Sequence, residues 1–221
     1  MSKLEEWAKI EAEAEACEAC RLRQTALNKV VGRGSLDAYF MFVAEAPGKE
    51  ENFRGRPFVG PTGTFLRKLM GKAGFKKGDV YMTNVVMCRP PQNRTPMDDE
   101  ILKCARFLHR KIEIIQPKVI IVVGAAALST LLPQIKKKLG SVRGDHIKYL
   151  RRTYIPVWHP SYVLRTGMAL REAELLKDLK RAYALYLEDK RNAQTVEYEN
   201  PFDVDPILEG LIGVEEKPKN Q

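Results

Sequence analysis

No run of apolar residues in this 221-residue chain approaches the 18 or more that a membrane-spanning helix needs, which excludes an α-helical membrane protein. Residues 1–16 are acidic and amphipathic, with no apolar core segment, so no signal peptide is expected in them. Cysteine is scarce, with four in all, and pairing them as two disulfides would need an oxidising compartment. The expectation is therefore an intracellular, cytoplasmic protein with no membrane contact and with thiols available for other uses. No segment repeats, which argues against a solenoid or propeller.

Acidic residues are the minority, 28 Asp and Glu against 37 Lys and Arg, for a net charge of +9. The imbalance is uneven. Residues 191–221 hold seven acids and three bases, a net of −4, which leaves +13 on residues 1–190. A basic body of that size points to a polyanionic partner such as DNA or RNA. The length suits one domain with a substantial core plus an extension. The sequence predicts a domain over 1–190 and an acidic, mostly irregular extension over 191–221, where Pro201, Pro206, Gly210, Gly213 and Pro218 interrupt any periodicity. Inside that extension, Pro206-Ile207-Leu208-Glu209-Gly210-Leu211-Ile212 is a short apolar patch suited to docking on a partner.

What is present begins with the cysteines. Cys17 and Cys20 form a close pair in a helix-like segment, Cys88 ends a strand-like run, and Cys104 falls in a helix-like stretch sixteen residues on. A redox Cys-x-x-Cys usually opens a helix after a strand, which is not the setting here. Four thiolates can close a tetrahedral zinc site or hold a [4Fe–4S] cluster, and the spacing does not choose between them.

Hydrophobic patterning gives an alternation of strands and helices. Residues 4–25 read as a helix, 39–44 as a buried strand, 62–73 as a helix stopped by Gly74, and 80–86 as a second strand. Residues 97–115 read as a helix whose Asp98, Asp99 and Glu100 suit its amino terminus. A third strand at 119–123, a short helix after Gly124, a fourth strand at 154–158 and a closing helix at 168–187 complete the pattern. Such alternation predicts an α/β fold, a parallel sheet covered on both faces.

The polar residues follow the strands. Glu45 and Gly48 come after the first, Asn84 near the end of the second, Gly124 after the third and His159 after the fourth. Open parallel sheets bind ligands outside the carboxyl ends of their strands, so loops there can aim a carboxylate, an amide and an imidazole into one pocket.

Five motifs then stand in order: Glu45-Ala46-Pro47-Gly48 with Glu51; Gly55-Arg56-Pro57-Phe58-Val59-Gly60; Thr83-Asn84-Val85-Val86; Cys88-Arg89-Pro90-Pro91-Gln92-Asn93-Arg94-Thr95-Pro96; and His159-Pro160-Ser161. Together with the four cysteines they closely resemble the family 4, iron–sulfur uracil-DNA glycosylases, from about Cys17 to Leu187. The resemblance implies a three-layer α/β/α sandwich around a four-stranded parallel sheet. It implies that Cys17, Cys20, Cys88 and Cys104 hold a structural [4Fe–4S] cluster, with zinc the alternative that the cysteines alone leave open. It also implies excision of uracil from single- or double-stranded DNA by hydrolysis of the N-glycosidic bond, leaving an abasic site.

The same resemblance implies roles residue by residue. Phe58 stacks on uracil, Asn84 reads its N3–H and O4, Gly48 lines the base site, and His159 faces O2. Glu45, through its main chain, and Glu51, through its side chain, position water. Leu164 and Arg165 fill the space that the flipped base vacates, and Gly60, Arg94 and Ser161 contact phosphate. Lys136, Lys137 and Lys138 are either further DNA contacts or a solvated charge run. Three residues depart from the family pattern: Ala44 for a usual Gly, Asn52 for a usual Asp, and Met87 for a frequent Lys. The covalent-trapping branch carries an inserted basic loop that this chain lacks, and no lysine is assigned to a strand-cleaving step. A second reading is a glycosylase-like DNA-binding module that recruits a replication or repair protein through residues 192–221.

Overall fold

The computed structural model describes residues 2–166 and 168–195. In chain order the elements are α1 (Lys3–Glu15), β1 (Arg33–Gly34), β2 (Phe40–Ala44), α2 (Lys49–Arg54), α3 (Pro61–Ala73), β3 (Val80–Asn84) and α4 (Asp98–Ile115). They continue with β4 (Val119–Val123), α5 (Ala125–Leu131), α6 (Leu139–Val142), β5 (Ile147–Tyr149), β6 (Arg152–Val157), α7 (Pro160–Arg165) and α8 (Met168–Thr195).

One sheet runs in the order β1-β3-β2-β4-β6-β5. Its inner four strands are parallel, with Phe40 opposite Val80 on one side and Val119 on the other. These are the four strands expected from the sequence. The sheet has six strands rather than four because β1 and β5 add antiparallel edges. Both are too short to leave a hydrophobic signature. The β5–β6 hairpin turns on Leu150 and Arg151, at φ 44 and φ 59, without the Asn-Gly or Asp-Gly pair that usually marks such a turn.

Strand alternation builds the two outer layers. Met41, Val43, Ile120 and Val122 face a core shared with Leu108, Ile112 and Leu128 from α4 and α5. Phe40, Phe42, Val119, Ile121 and Val123 face the opposite core, shared with Leu66, Leu69, Leu175 and Leu179 from α3 and α8. The result is a three-layer α/β/α sandwich. A third, smaller cluster of Ile10, Ala14, Met87 and Phe107 packs α1 onto α4.

Three expectations are corrected. The first helix stops at Glu15, and Ala16 caps it, so Cys17 to Cys20 form a turn outside any helix; only a short 3₁₀ turn, Arg21–Gln24, follows. No glycine or proline announces that stop, which is why the sequence reads through it. The second strand ends at Asn84, two residues early, where Val85 and Val86 donate instead to the carbonyls of Ala44 and Glu45. The last helix runs to Thr195 rather than Leu187, since residues 188–195 contain no breaker. The chain divides into two units, Met1–Tyr186 and Leu187–Gln221. The remainder of the predicted irregular extension, with its apolar patch, lies outside the described residues.

Candidate active site

A cavity of about 590 Å³ opens where the four parallel strands end. Ala44 of β2, Asn84 of β3, Val123 and Gly124 at the end of β4, and His159 after β6 all line it. Glu45, Gly48, Glu51, Phe58, Arg94, Ser161 and Arg165 line the same space, so it gathers nine of the eleven residues singled out for catalysis, base or DNA contact. Gly60 and Leu164 are not among its lining residues; Leu164 stands on α7, 40% exposed.

His159 caps α7 with its own ring. Nδ1 accepts the Ser161 backbone N–H at 3.2 Å and lies 2.7 Å from the Ser161 hydroxyl. A nitrogen that accepts an N–H carries no proton of its own, so the proton of the neutral imidazole sits on Nε2. Burial first, then the charge of Arg165, pushes the His159 pKa down to about 4. The ring is thus a neutral donor at ordinary pH. Gly124, at φ 94, gives it room: a Cβ there would lie 3.0 Å from the His159 Cβ.

Phe58 is 7% exposed and holds a left-handed backbone at φ 54. A bulky residue in that region is strained. Two neighbours fix it. Arg67 donates to the Phe58 carbonyl at 2.7 Å, and Gly63 of α3 lies so close that a Cβ on it would sit 2.1 Å from that oxygen. Gly63 and Arg67 escaped the sequence reading, as did the close approach of Gly124 to His159. A glycine inside an amphipathic helix costs about 1 kcal/mol against alanine, which was the available signal for Gly63.

Three residues expected to contact phosphate also have protein partners. The Gly60 N–H donates to Glu51 Oε1 at 2.8 Å, at the start of α3. The Ser161 hydroxyl is against His159. Arg94 is clamped two-fold on Glu100, at 2.8 and 2.7 Å. Leu164 and Arg165 are both exposed on α7. The Glu45 carbonyl accepts from Val86 N–H and retains a second lone pair. Glu51 keeps one carboxylate oxygen beyond the one that Gly60 uses.

Of the departures, Ala44 lines the cavity. Asn52 does not: it is 4% exposed, and its Oδ1 accepts the Leu27 N–H at 3.0 Å. The amide belongs to the seam between α2 and the Leu27–Asn28 loop, so it removes no charge from the cavity. Met87 packs in the α1–α4 cluster.

The four cysteines line one small cleft with Leu22, Lys29 and Met87. Burial, then Cys104 and Cys20, pushes the Cys88 thiol up to about 12, and burial raises Cys104 as well. Four thiols crowded in such a place lose their protons only to a strongly cationic group between them. An all-sulfur donor set suits zinc or an iron–sulfur centre. One zinc would draw each sulfur to about 2.3 Å of a single point. Among the described residues no three His, Cys, Asp or Glu converge in that way.

Comparison with known proteins agrees with this geometry. The model of the Uracil DNA glycosylase superfamily matches residues 31–181. A Type-4 uracil-DNA glycosylase of Thermotoga maritima is 45% identical over 167 residues, covering 75% of this chain and 87% of that one. Another from Sulfurisphaera tokodaii is 37% identical over 198 residues, covering 86% and 88%, and one from Saccharolobus solfataricus is 39% identical over 160 residues, covering 69% and 74%. The chain therefore belongs to the uracil-DNA glycosylase superfamily and, within it, to the type-4 enzymes.

Proposed function

We propose that this protein is a monofunctional DNA repair glycosylase that takes uracil out of the DNA stack and hydrolyses its N-glycosidic bond. The observation that carries the reading is the single cavity at the strand ends, lined by an aromatic ring, an amide, a neutral imidazole and two carboxylates. The target base must leave the duplex to reach such a site.

Inside, Phe58 stacks on the base, an interaction worth about 1–3 kcal/mol. Asn84 offers an acceptor to N3–H and a donor to O4, where cytosine presents the opposite pattern. Gly48 lines the base site. Glu51 and the Glu45 carbonyl hold the water that adds to C1′, and the Glu51 carboxylate takes the proton that the water loses. As the C1′–N1 bond breaks, its electron pair departs with the base, and the sugar gains oxocarbenium character that a carboxylate stabilises. His159 Nε2–H faces O2 of the leaving uracil. One preorganised donor of this kind is worth roughly 3–4 kcal/mol, and a neutral ring supplies it without being deprotonated. Leu164 and Arg165 enter the gap left in the duplex, an apolar wedge beside a cation. Phosphate contact through the Gly60 N–H or the Ser161 hydroxyl needs release of the protein partner first, while Arg94 keeps N–H donors beyond those on Glu100 and Thr95.

Cys17, Cys20, Cys88 and Cys104 would hold a [4Fe–4S] cluster, which supplies cross-linking of the amino-terminal turn to α4 and no chemistry at the base. The setting is the cytoplasm, on uracil-containing DNA. A replication or repair partner for residues 192–221 belongs to the same proposal. The test is uracil release from single- and double-stranded oligonucleotides, with His159→Ala and Asn84→Ala as controls. Release by wild type and its collapse in both variants is expected; no release at high enzyme excess overturns the reading.

A further inference from the structure

A second cavity, of about 410 Å³, is lined in part by the segment that carries Phe58. Arg56, Pro57 and Val59 line it, while Phe58, in the middle of that segment, lines the strand-end cavity. Its floor is apolar, with Met70, Phe75 and Met82. Its rim is cationic, with Arg33, Arg56, Lys76 and Lys77 exposed around it and Arg67 at its edge. Among the described residues that line it, none is acidic. The volume falls in the usual range for small-molecule sites, about 300–1,000 Å³.

We propose that this cavity is a second binding site, for a nucleotide. An apolar floor under a ring of cations matches that chemistry: the base lies on Met70, Phe75 and Met82, and the phosphate meets Arg33, Arg56 and Lys77. The nucleotide comes either from a DNA strand flanking the target or from a free mononucleotide; the DNA source rests on the function proposed above. Arg67 gives the site a bearing on the first cavity. Its guanidinium is in the wall of the second cavity and also donates to the Phe58 carbonyl at 2.7 Å, so an anion that drew it away would loosen the stacking residue.

Gly71 allows a clean test. It lines the cavity, and a Cβ on it would meet nothing within 4 Å, so a substitution there starts into open space. Replacing a helical glycine also favours the helix. The full chain is titrated with dAMP by calorimetry as wild type, Gly71→Phe, the Arg33→Glu/Lys77→Glu double variant, and His159→Ala. Uracil-containing single strands, lengthened stepwise on either side of the target, give KM in parallel.

A free-nucleotide site shows dAMP binding that both cavity variants weaken roughly tenfold, the double variant by loss of charge-assisted contacts and Gly71→Phe by occupying the space, and that His159→Ala leaves unchanged. A DNA site shows a fall in KM with strand length that both variants lose while kcat on the shortest strand holds. In the double variant the slope of log affinity against log salt becomes shallower by about 1.4, at roughly 0.7 per phosphate contact. If both variants match wild type in dAMP affinity and in the gain from strand length, the site is overturned. Should wild type release no uracil, the proposed function falls, and the dAMP titration still decides the cavity.

Discussion

The proton on His159 sets how the candidate pocket responds to acid. Burial holds its pKa at about 4 when folded, against an ordinary 6.5. Between those values the unfolded chain binds a proton that the folded chain refuses. The residue's share of stability is therefore complete above 6.5, declines as pH falls through the window, and changes no further below about 4. The neutral donor survives the same window, so kcat/KM for uracil release should hold down to near pH 4 at this residue; an acid limb at 6.5 that His159→Ala removes would contradict it. At pH 7 the same substitution should lower kcat by about 100- to 1,000-fold. Gly63 carries the complementary expectation. Alanine in a helix normally stabilises by about 1 kcal/mol over glycine, but here its methyl would meet the Phe58 carbonyl, so Gly63→Ala should lower Tm and raise KM. An unchanged Tm and KM would show that Phe58 tolerates displacement. That Asn84 and His159 gather in one cavity was legible because each stands at or just after a strand end in the sequence; the pairing of Gly60 with Glu51 and of Ser161 with His159 was not, because it depends on where loops fold back.

At the scale of elements, α4 joins the parts around the cysteine cleft. It supplies Cys104, and its Glu100, 0% exposed, receives Arg94 from the loop after Cys88 and Arg21 from the turn after Cys20. The Arg94 guanidinium holds the Glu100 carboxyl below its ordinary 4.5 against the cost of burial, helped by the Met97 N–H. Its contribution to stability is present above 4.5 and is lost as pH falls through the lower folded value. Glu100→Gln should thus lower the urea midpoint at pH 7, with the gap from wild type narrowing in acid; a gap independent of pH would remove the ion pair from the account. Under the proposed [4Fe–4S] assignment, wild type should be brown, with absorbance near 400 nm, and Cys88→Ala should lose that colour and stability first, with activity falling as a consequence. Colourless wild type loaded with zinc would reverse the cofactor assignment. The strands, α3 and α4 were legible from period and caps. The end of α1 was not, since the residues at Ala16 to Cys20 are good enough helix formers and the packing of Ile10 and Ala14 on Phe107 decides where the turn falls.

At the scale of the molecule, charge organises the chain. Residues 196–221 hold seven acids and two bases, so deleting them would raise the net charge from +9 to +14. Nonspecific DNA affinity should rise at low salt and converge on wild type as salt screens it, which a filter-binding series would read; equal affinity at all salts would show that the tail's charge does not act on DNA. The general architecture was readable because strands alternating with helices admit few arrangements. The two extra edges were not readable, yet they have a consequence of their own. The inner strands are largely apolar on both faces, and a bare edge of such a sheet would be an invitation to pair with another copy. A two-residue β1 on one flank, and on the other a three-residue β5 whose exposed Lys148 precedes a tight turn, leave little backbone for a second molecule to grip. The fold thus guards itself against strand-to-strand association when many copies gather on one polyanion.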